Sequence, residues 1–527
     1  MFNLLIKNGQ IVDGSGNPWY QGDIGIKEGK IAEIGHLGSS HAYRVIDAAN
    51  LIVAPGFIDV HTHSNTTLPV NPYAESKIRQ GVTTEITGNC GNSSAPIANE
   101  AVDEIREGFD ILGLEINWRT LKGYLDFLEN QGISLNVAAL IGHGTIRKSI
   151  VGYDNRTATP QEIEAMKEMI DGAMKDGAFG MSTGLIYPPG CYTDTEELIA
   201  LSKTLQKWNG SYVSHIRDEG SKVLEAGEEA IEIGRSAGIS VQWSHVKAAG
   251  SKVWGKSSEI LSLMEEAQKN GVDVTGDLYP YEATSTGLSM FLPKWAHEGG
   301  RGKLLERLHD QDLRDRLAEE ITARRRTRGN WDKIIIASVS QERNRVFEGL
   351  TIEAIAEKMN KKPVDVVIHL LGDDDGEVSM VSFAMSEDDI CNFMKHPLIM
   401  IGSDGNSLSP HGTLGNGKPH PRHYGTFPRV LGRYVRQKNI ISIETAVKKM
   451  TSLPASSFGI CDRGLLAPGM YADITIFDPN TVIDKATYTN PHQYPAGIEY
   501  VIVNGEVTID QGDHTLALSG RVLRKNK

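Results

Sequence analysis

Pro55-Gly56-Phe57-Ile58-Asp59-Val60-His61-Thr62-His63 is the stretch on which the fold turns. A Pro-Gly pair releases a short apolar run, and the run ends on two histidines separated by one residue. Side chains two apart on a strand point to the same side. Both imidazoles can therefore meet one cation. A lone His-x-His is a weak signal, since satisfied structural histidines are common. Its place at the exit of a β-rich N-terminal segment strengthens it.

Seven more runs repeat the form, each a short apolar stretch closed by a polar or reactive residue. They are VTTEITGNC (82–90), LNVAALIGH (135–143), GAFGMSTG (177–184), GSYVSHI (210–216), ISVQWSH (239–245), VDVTGDLY (272–279) and PLIMIGSD (397–404). Helical patterns lie between most of them, as in TPQEIEAMKEMIDGAMKDG (159–177) and SEILSLMEEAQKNG (258–271), each closed by glycine. Eight strand-then-helix units predict an α/β protein, a (β/α)₈ TIM barrel with its site where the strands end. The interval from Tyr279 to Pro397 is too long for one loop, so an inserted lid subdomain is expected over 286–348, near barrel strand 7. Its apolar opening, GLSMFLPKW, suits a cover for the site.

Outside the barrel, both chain ends read as short alternating strands. LLIKNGQIVDG and YVIVNGEVTIDQG each carry an Asn-Gly hairpin signal, at Asn8-Gly9 and Asn504-Gly505. Neither end alone could bury both faces of a sheet. A small β-sandwich domain of residues 1–55 plus 454–527 is expected, with 56–453 as the barrel.

The formal charge is −13, with scattered Lys and Arg, which argues against nucleic acid or an anionic membrane as partner. The dense basic run Arg324, Arg325, Arg326 and Arg328 reads as the solvated end of a helix. The start lacks the marks of a signal peptide, and no apolar run reaches the ~18 residues of a membrane span. Four cysteines, Cys90, Cys191, Cys391 and Cys461, are too few and too far apart for a disulfide framework. A cytoplasmic protein is expected, with at least one thiol free to bind metal.

Cys90 ends the second run, His215 the fifth, His245 the sixth and Asp404 the eighth. Taken singly, each is as well explained as a buried thiol, a core histidine or a helix cap. Together with His61 and His63 they form a ring of thiolate, imidazole and carboxylate at one end of successive strands, a donor set suited to zinc.

The chain resembles the D-aminoacylase (N-acyl-D-amino-acid deacylase) family of the amidohydrolase superfamily. The likeness runs through PGFIDVHTH, TTEITGNCG, GHGTIR, GAFGMSTGL, YVSHIRDEG, SHVKAAG, YPYEATST, GSDG, HPRHYGTFPRVL and GLLAPGMYADITIFD. It implies one tight zinc on Cys90, His215 and His245 and a weaker second position at His61 and His63. It also implies Lys247, Tyr279, Ser285 and Arg422 as contacts for the substrate carboxylate, and an arginine fork fits a carboxylate at two points. Many binuclear members carry a bridging lysine at the fourth strand. GAFGMSTG holds none, and Lys175 just before it reads as a surface residue.

Zinc at such a site makes hydroxide available near neutral pH, and Asp404 is placed to move the proton from water to the departing amine. His143 ends the third run, either donating to the oxyanion or buttressing a ligand. The stretch NSLSPHGTLGNGKP between Asp404 and Arg422 reads as a mobile Gly-rich loop. The resemblance implies hydrolysis of small N-acyl-D-amino acids. The alternatives are a cyclic-amide hydrolase such as a dihydroorotase or hydantoinase, a dipeptidase, and, least favoured, a non-catalytic scaffold on the same fold.

Overall fold

A computed structural model describes residues 1–325 and 330–525. The side chains of the basic run at Arg324–Arg328 lie outside the described residues.

All eight expected runs are parallel strands: β1 (Phe57–Asp59), β2 (Val82–Thr87), β3 (Asn136–Ala139, resumed at Ile141–Gly142), β4 (Gly180–Gly184), β5 (Ser211–His215), β6 (Val241–Trp243), β7 (Val274–Leu278) and β8 (Ile399–Ile401). They pair in sequence order, and a parallel bridge from Thr62 to Gly405 joins β8 back to β1. The interior is filled by Ile58, Val60, Ile86, Ala138, Leu140, Phe179, Val213 and Met400. That packing makes the barrel a core rather than a pore.

Local sequence explains the helices around it. Helix Pro160–Asp176 opens with a capping box, in which Thr159 and Glu162 satisfy each other's backbone N–H, and Pro160 takes a position whose own N–H would be unused. Gly177 closes it in the left-handed conformation. Lys175 is exposed on this helix, and β4 contains no lysine.

The two chain ends meet in one module. Ile474–Phe477 pairs with Ile52–Pro55, which joins the N-terminal and C-terminal strands into one continuous nine-stranded sheet. The sheet curls until the hairpin tip at Gly29 rests on Asn504-Gly505, and apolar residues of both halves share one core. Asn504-Gly505 is a hairpin turn as expected. Asn8-Gly9 is not: both residues lie inside strand Phe2–Ile11, at a bulge where the register shifts between Ile6 and Gly9. Asn8 there has φ 60°, and a side chain at Gly9 would stand 2.5 Å from Val53, so the pair serves a bulge and a close approach.

Two expected boundaries shift. The insert does not stop at residue 348. Its first strand, Ala283–Gly287, pairs with Ser379–Phe383, which in turn pairs with Ile334–Ser338. Helices Ile352–Met359 and Pro363–Asp373 pack on this sheet in a separate apolar core. The subdomain therefore spans about 283–383, because the central strand of its sheet comes last in sequence. The boundary at 453/454 falls inside helix Ser452–Phe458, whose Ala455 and Phe458 pack on the barrel interior.

Candidate metal centre and substrate cavity

The strand ends deliver their side chains to one place. His61 Nε2 lies 3.3 Å from Cys90 Sγ, and His245 Nε2 lies 3.4 Å from the same sulfur. Asp404 Oδ1 is 3.4 Å from His61 Nε2 and 2.9 Å from His63 Nε2. His215 stacks edge-on against His245 at 4.4 Å. The donor atoms form two overlapping groups that share His245. One is His61, Cys90, His245 and Asp404; the other is His215, Glu219 and His245.

Backbone conformation helps to aim these groups. Cys90, His245 and Asp404 have φ of 52°, 36° and 52°, in the left-handed region that β-carbons disfavour. Such residues concentrate at functional sites, where the surrounding structure holds the strain.

Electrostatics agree with a cation site. Burial would push the Cys90 thiol up, but the His61 and His245 imidazoles beside it hold it well below its ordinary value. Burial likewise opposes ionisation of Asp404, and Arg422, His61 and His245 together bring its carboxyl well below the usual range. Neither ring nitrogen of the buried His215 makes a hydrogen bond among the described residues. An orphaned buried imidazole costs free energy unless something accepts its lone pair. Thiolate, imidazole and carboxylate converging around such an orphan fit zinc.

Two acidic residues in this cluster escaped the reading of the sequence. Glu219 Oε1 accepts a hydrogen bond from Lys247 Nζ at 2.6 Å and lies 3.0 Å from His245 Nδ1. The available signal was its position four residues after His215. Asp277, fully buried in β7, faces His61 Nδ1 at 3.1 Å and accepts bonds from the His245 N–H and from Gln242. A carboxylate inside an apolar run was the signal there, because a buried charge needs partners.

His143 departs from expectation. It does not face the mouth: its Nε2 lies 3.3 Å from Glu197 Oε1, which Arg147 also binds, and all three are buried. The chain turns into helix His143–Ile150 at this residue, so its side chain joins the helix-side ion cluster.

The four expected substrate contacts do come together. Lys247, Tyr279, Ser285 and Arg422 line one cavity of about 550 Å³ with His63, Cys90, His215, His245 and Asp404. Arg422 Nη1 is 2.8 Å from Asp404 Oδ2, its guanidinium lies over the Tyr279 ring at 4.8 Å, and its Nη2 donates to the Ser285 carbonyl at 3.4 Å. Residues 406–419 form one wall through Leu408, Thr413 and Leu414, and Ile186, Tyr187 and Pro188 from the loop after β4 form another.

An amidohydrolase family model matches residues 44–509. The chain belongs to that family, in its D-aminoacylase branch. This amidohydrolase is 36% identical to the D-aminoacylase of Alcaligenes xylosoxydans xylosoxydans, over 99% of its own length and 98% of the relative's. It is 35% identical to the N-acyl-D-aspartate deacylase of the same organism, over 97% and 93%. A crystal structure of the N-acyl-D-glutamate deacylase of Bordetella bronchiseptica, complexed with zinc and a phosphonate mimic of the tetrahedral intermediate, superposes with a TM-score of 0.84 at 35% identity, covering 99% of both chains. Identity is nearly equal to a relative named for D-amino acids at large and to two named for acidic side chains. Among the described residues, no helix of this amidohydrolase is long and apolar enough to cross a membrane.

Proposed function

We propose that this chain hydrolyses the amide bond of N-acyl-D-amino acids, releasing a carboxylate and a free D-amino acid. One observation carries the reading: the donor cluster, the Asp404 carboxyl and the Arg422 guanidinium share a single cavity, with Arg422 2.8 Å from Asp404. Cys90, His215 and His245 would hold a tight zinc, and His61 and His63 would contribute to a weaker second position. When bound, zinc supplies Lewis-acid polarisation of the acyl carbonyl and a lowered pKa for the attacking water, towards ~7.

The chain's own residues do the rest. Asp404, kept ionised by Arg422, takes the proton of the attacking water and returns it to the amine nitrogen as the C–N bond breaks. Asp277 fixes the His61 ring through Nδ1, leaving Nε2 towards the cluster. Arg422, with Lys247 and Tyr279 beside it, receives the α-carboxylate. Carbonyl and carboxylate held at two points leave the side chain one direction, and this gives the D preference. The free cysteines suit the cytoplasmic location expected from the sequence, which stays part of this proposal.

The test is turnover of paired D and L forms of N-acetyl-methionine, -leucine and -glutamate by zinc-loaded protein, beside hydantoin and dihydroorotate. Turnover of D forms with L forms and cyclic amides inert supports the proposal. Turnover confined to cyclic amides overturns it.

A further inference from the structure

The HPR turn that delivers Arg422 is tied to the insert by its first residue. His420 is fully buried and uses both ring nitrogens. Nδ1 accepts the backbone N–H of Arg422 at 3.0 Å, and Nε2 donates to the carbonyl of Ala283 at 3.0 Å. These bonds require the neutral ring with its proton on Nε2, since Nδ1 must offer a lone pair. Burial and the neighbouring Arg422 hold the imidazole well below its ordinary value, so the ring stays neutral. Tyr281 and Tyr488 pack edge-on against it at 5.0 and 5.1 Å.

Ala283 and Ser285 are alternate residues of the insert's first strand, whose other edge pairs with Ser379–Phe383. Alternate carbonyls of a strand point the same way. The free edge therefore receives two donors from one turn: the His420 ring at Ala283 and the Arg422 guanidinium, at 3.4 Å, at Ser285. The Ser285 contact is long and its donor belongs to a group that also faces Asp404, whereas the Ala283 contact is short and its donor has no other partner among the described residues. When a substrate carboxylate draws the guanidinium away, the His420 bond is the one that remains.

We propose that His420 is a positioning residue: it locks the start of helix Arg422–Arg429 to the insert's first strand, and so holds the guanidinium where the substrate carboxylate arrives. This rests on the reading of Arg422 as the carboxylate grip.

The experiment compares wild type, Arg422→Ala, His420→Ala and His420→Asn on an N-acetyl-D-amino acid and on its α-carboxamide. The readouts are kcat and KM, zinc content and melting temperature. His420→Ala should raise KM for the acid about tenfold or more, within the range for lost outer hydrogen bonds, with kcat and zinc little changed. The acid-over-carboxamide ratio of kcat/KM should fall with it, because the carboxamide has no charge to grip. Asparagine can still accept the Arg422 N–H two residues on but cannot reach Ala283, so His420→Asn should shift the ratio in the same direction by less. It carries the test if the alanine variant fails to fold. If Arg422→Ala collapses the ratio while a well-folded His420→Asn and His420→Ala leave it unchanged, the role of His420 is overturned. If Arg422→Ala also leaves it unchanged, the reading of Arg422 falls, and this inference with it.

Discussion

Left-handed backbone at Cys90, His245 and Asp404 means that side-chain chemistry and main-chain strain are borne by the same residues. Alanine at position 90 relieves none of that strain and removes the sulfur that both His61 and His245 approach. Cys90→Ala should therefore lose tight zinc as well as activity, measured as metal content after dialysis; a full zinc complement would refute the assignment of Cys90. Asparagine tolerates left-handed backbone better than most residues, so Asp404→Asn should fold normally and keep its tight zinc. It cannot take a proton, and kcat should fall by at least ~10²-fold, the scale of lost acid–base catalysis. Near-normal turnover would exclude that role. The convergence of these donors at this scale was readable from residue type and strand-end position. Glu219 and Asp277 were not, because carboxylates are abundant in any sequence and only contact shows which ones face imidazoles.

Helix Ile443–Met450 shows how an element can set a pH dependence far from the chemistry. Its Lys449 is 2% exposed and donates to the carbonyls of His396 and Ile399, where the chain enters β8. Burial, and secondarily Lys448, lowers its pKa from 10.5 to about 7. A lysine whose folded pKa lies below its unfolded value costs stability while both states are protonated, and the cost is relieved as pH rises from the folded towards the unfolded pKa. Folding stability should thus gain a contribution between about pH 7 and pH 10. Denaturant titrations across that window should show the rise in wild type and a flatter profile in Lys449→Met; identical profiles would refute it. The barrel strands were legible element by element, since each is an apolar run ending at a turn. The insert's limit was not, because Ser379–Phe383 looks like any barrel strand until it pairs with Ala283–Gly287.

At the scale of the whole molecule, residues 520–525 close the bottom of the barrel. The Gly520 N–H donates to Ile133, Val137 to Arg521, Leu523 to Val137 and Lys525 to Gly177, and Leu523 packs on the apolar cluster inside the barrel. Arg524 pairs with Asp126 and Glu129 on helix Leu121–Gln131. Truncation before Gly520 should therefore destabilise a domain that the sequence puts several hundred residues away, by about 2–4 kcal/mol for the lost apolar packing and backbone bonds. A lowered melting temperature with intact zinc binding is the expected result, and an unchanged one would show that the tail is dispensable.

What the sequence by itself determined is whatever depends on local pattern. Apolar runs and turns set the eight strands, capping residues set helix Pro160–Asp176, and donor types at strand ends set the donor cluster. Tertiary structure alone decided which distant groups meet. It brought the Arg422 turn against the insert's edge strand and both chain ends into one sheet, and it turned His143 away from the mouth to Glu197 and Arg147. The physical reason is that a periodic run specifies a face to be buried but not its partner; the partner is chosen by the packing and charge balance of the whole chain.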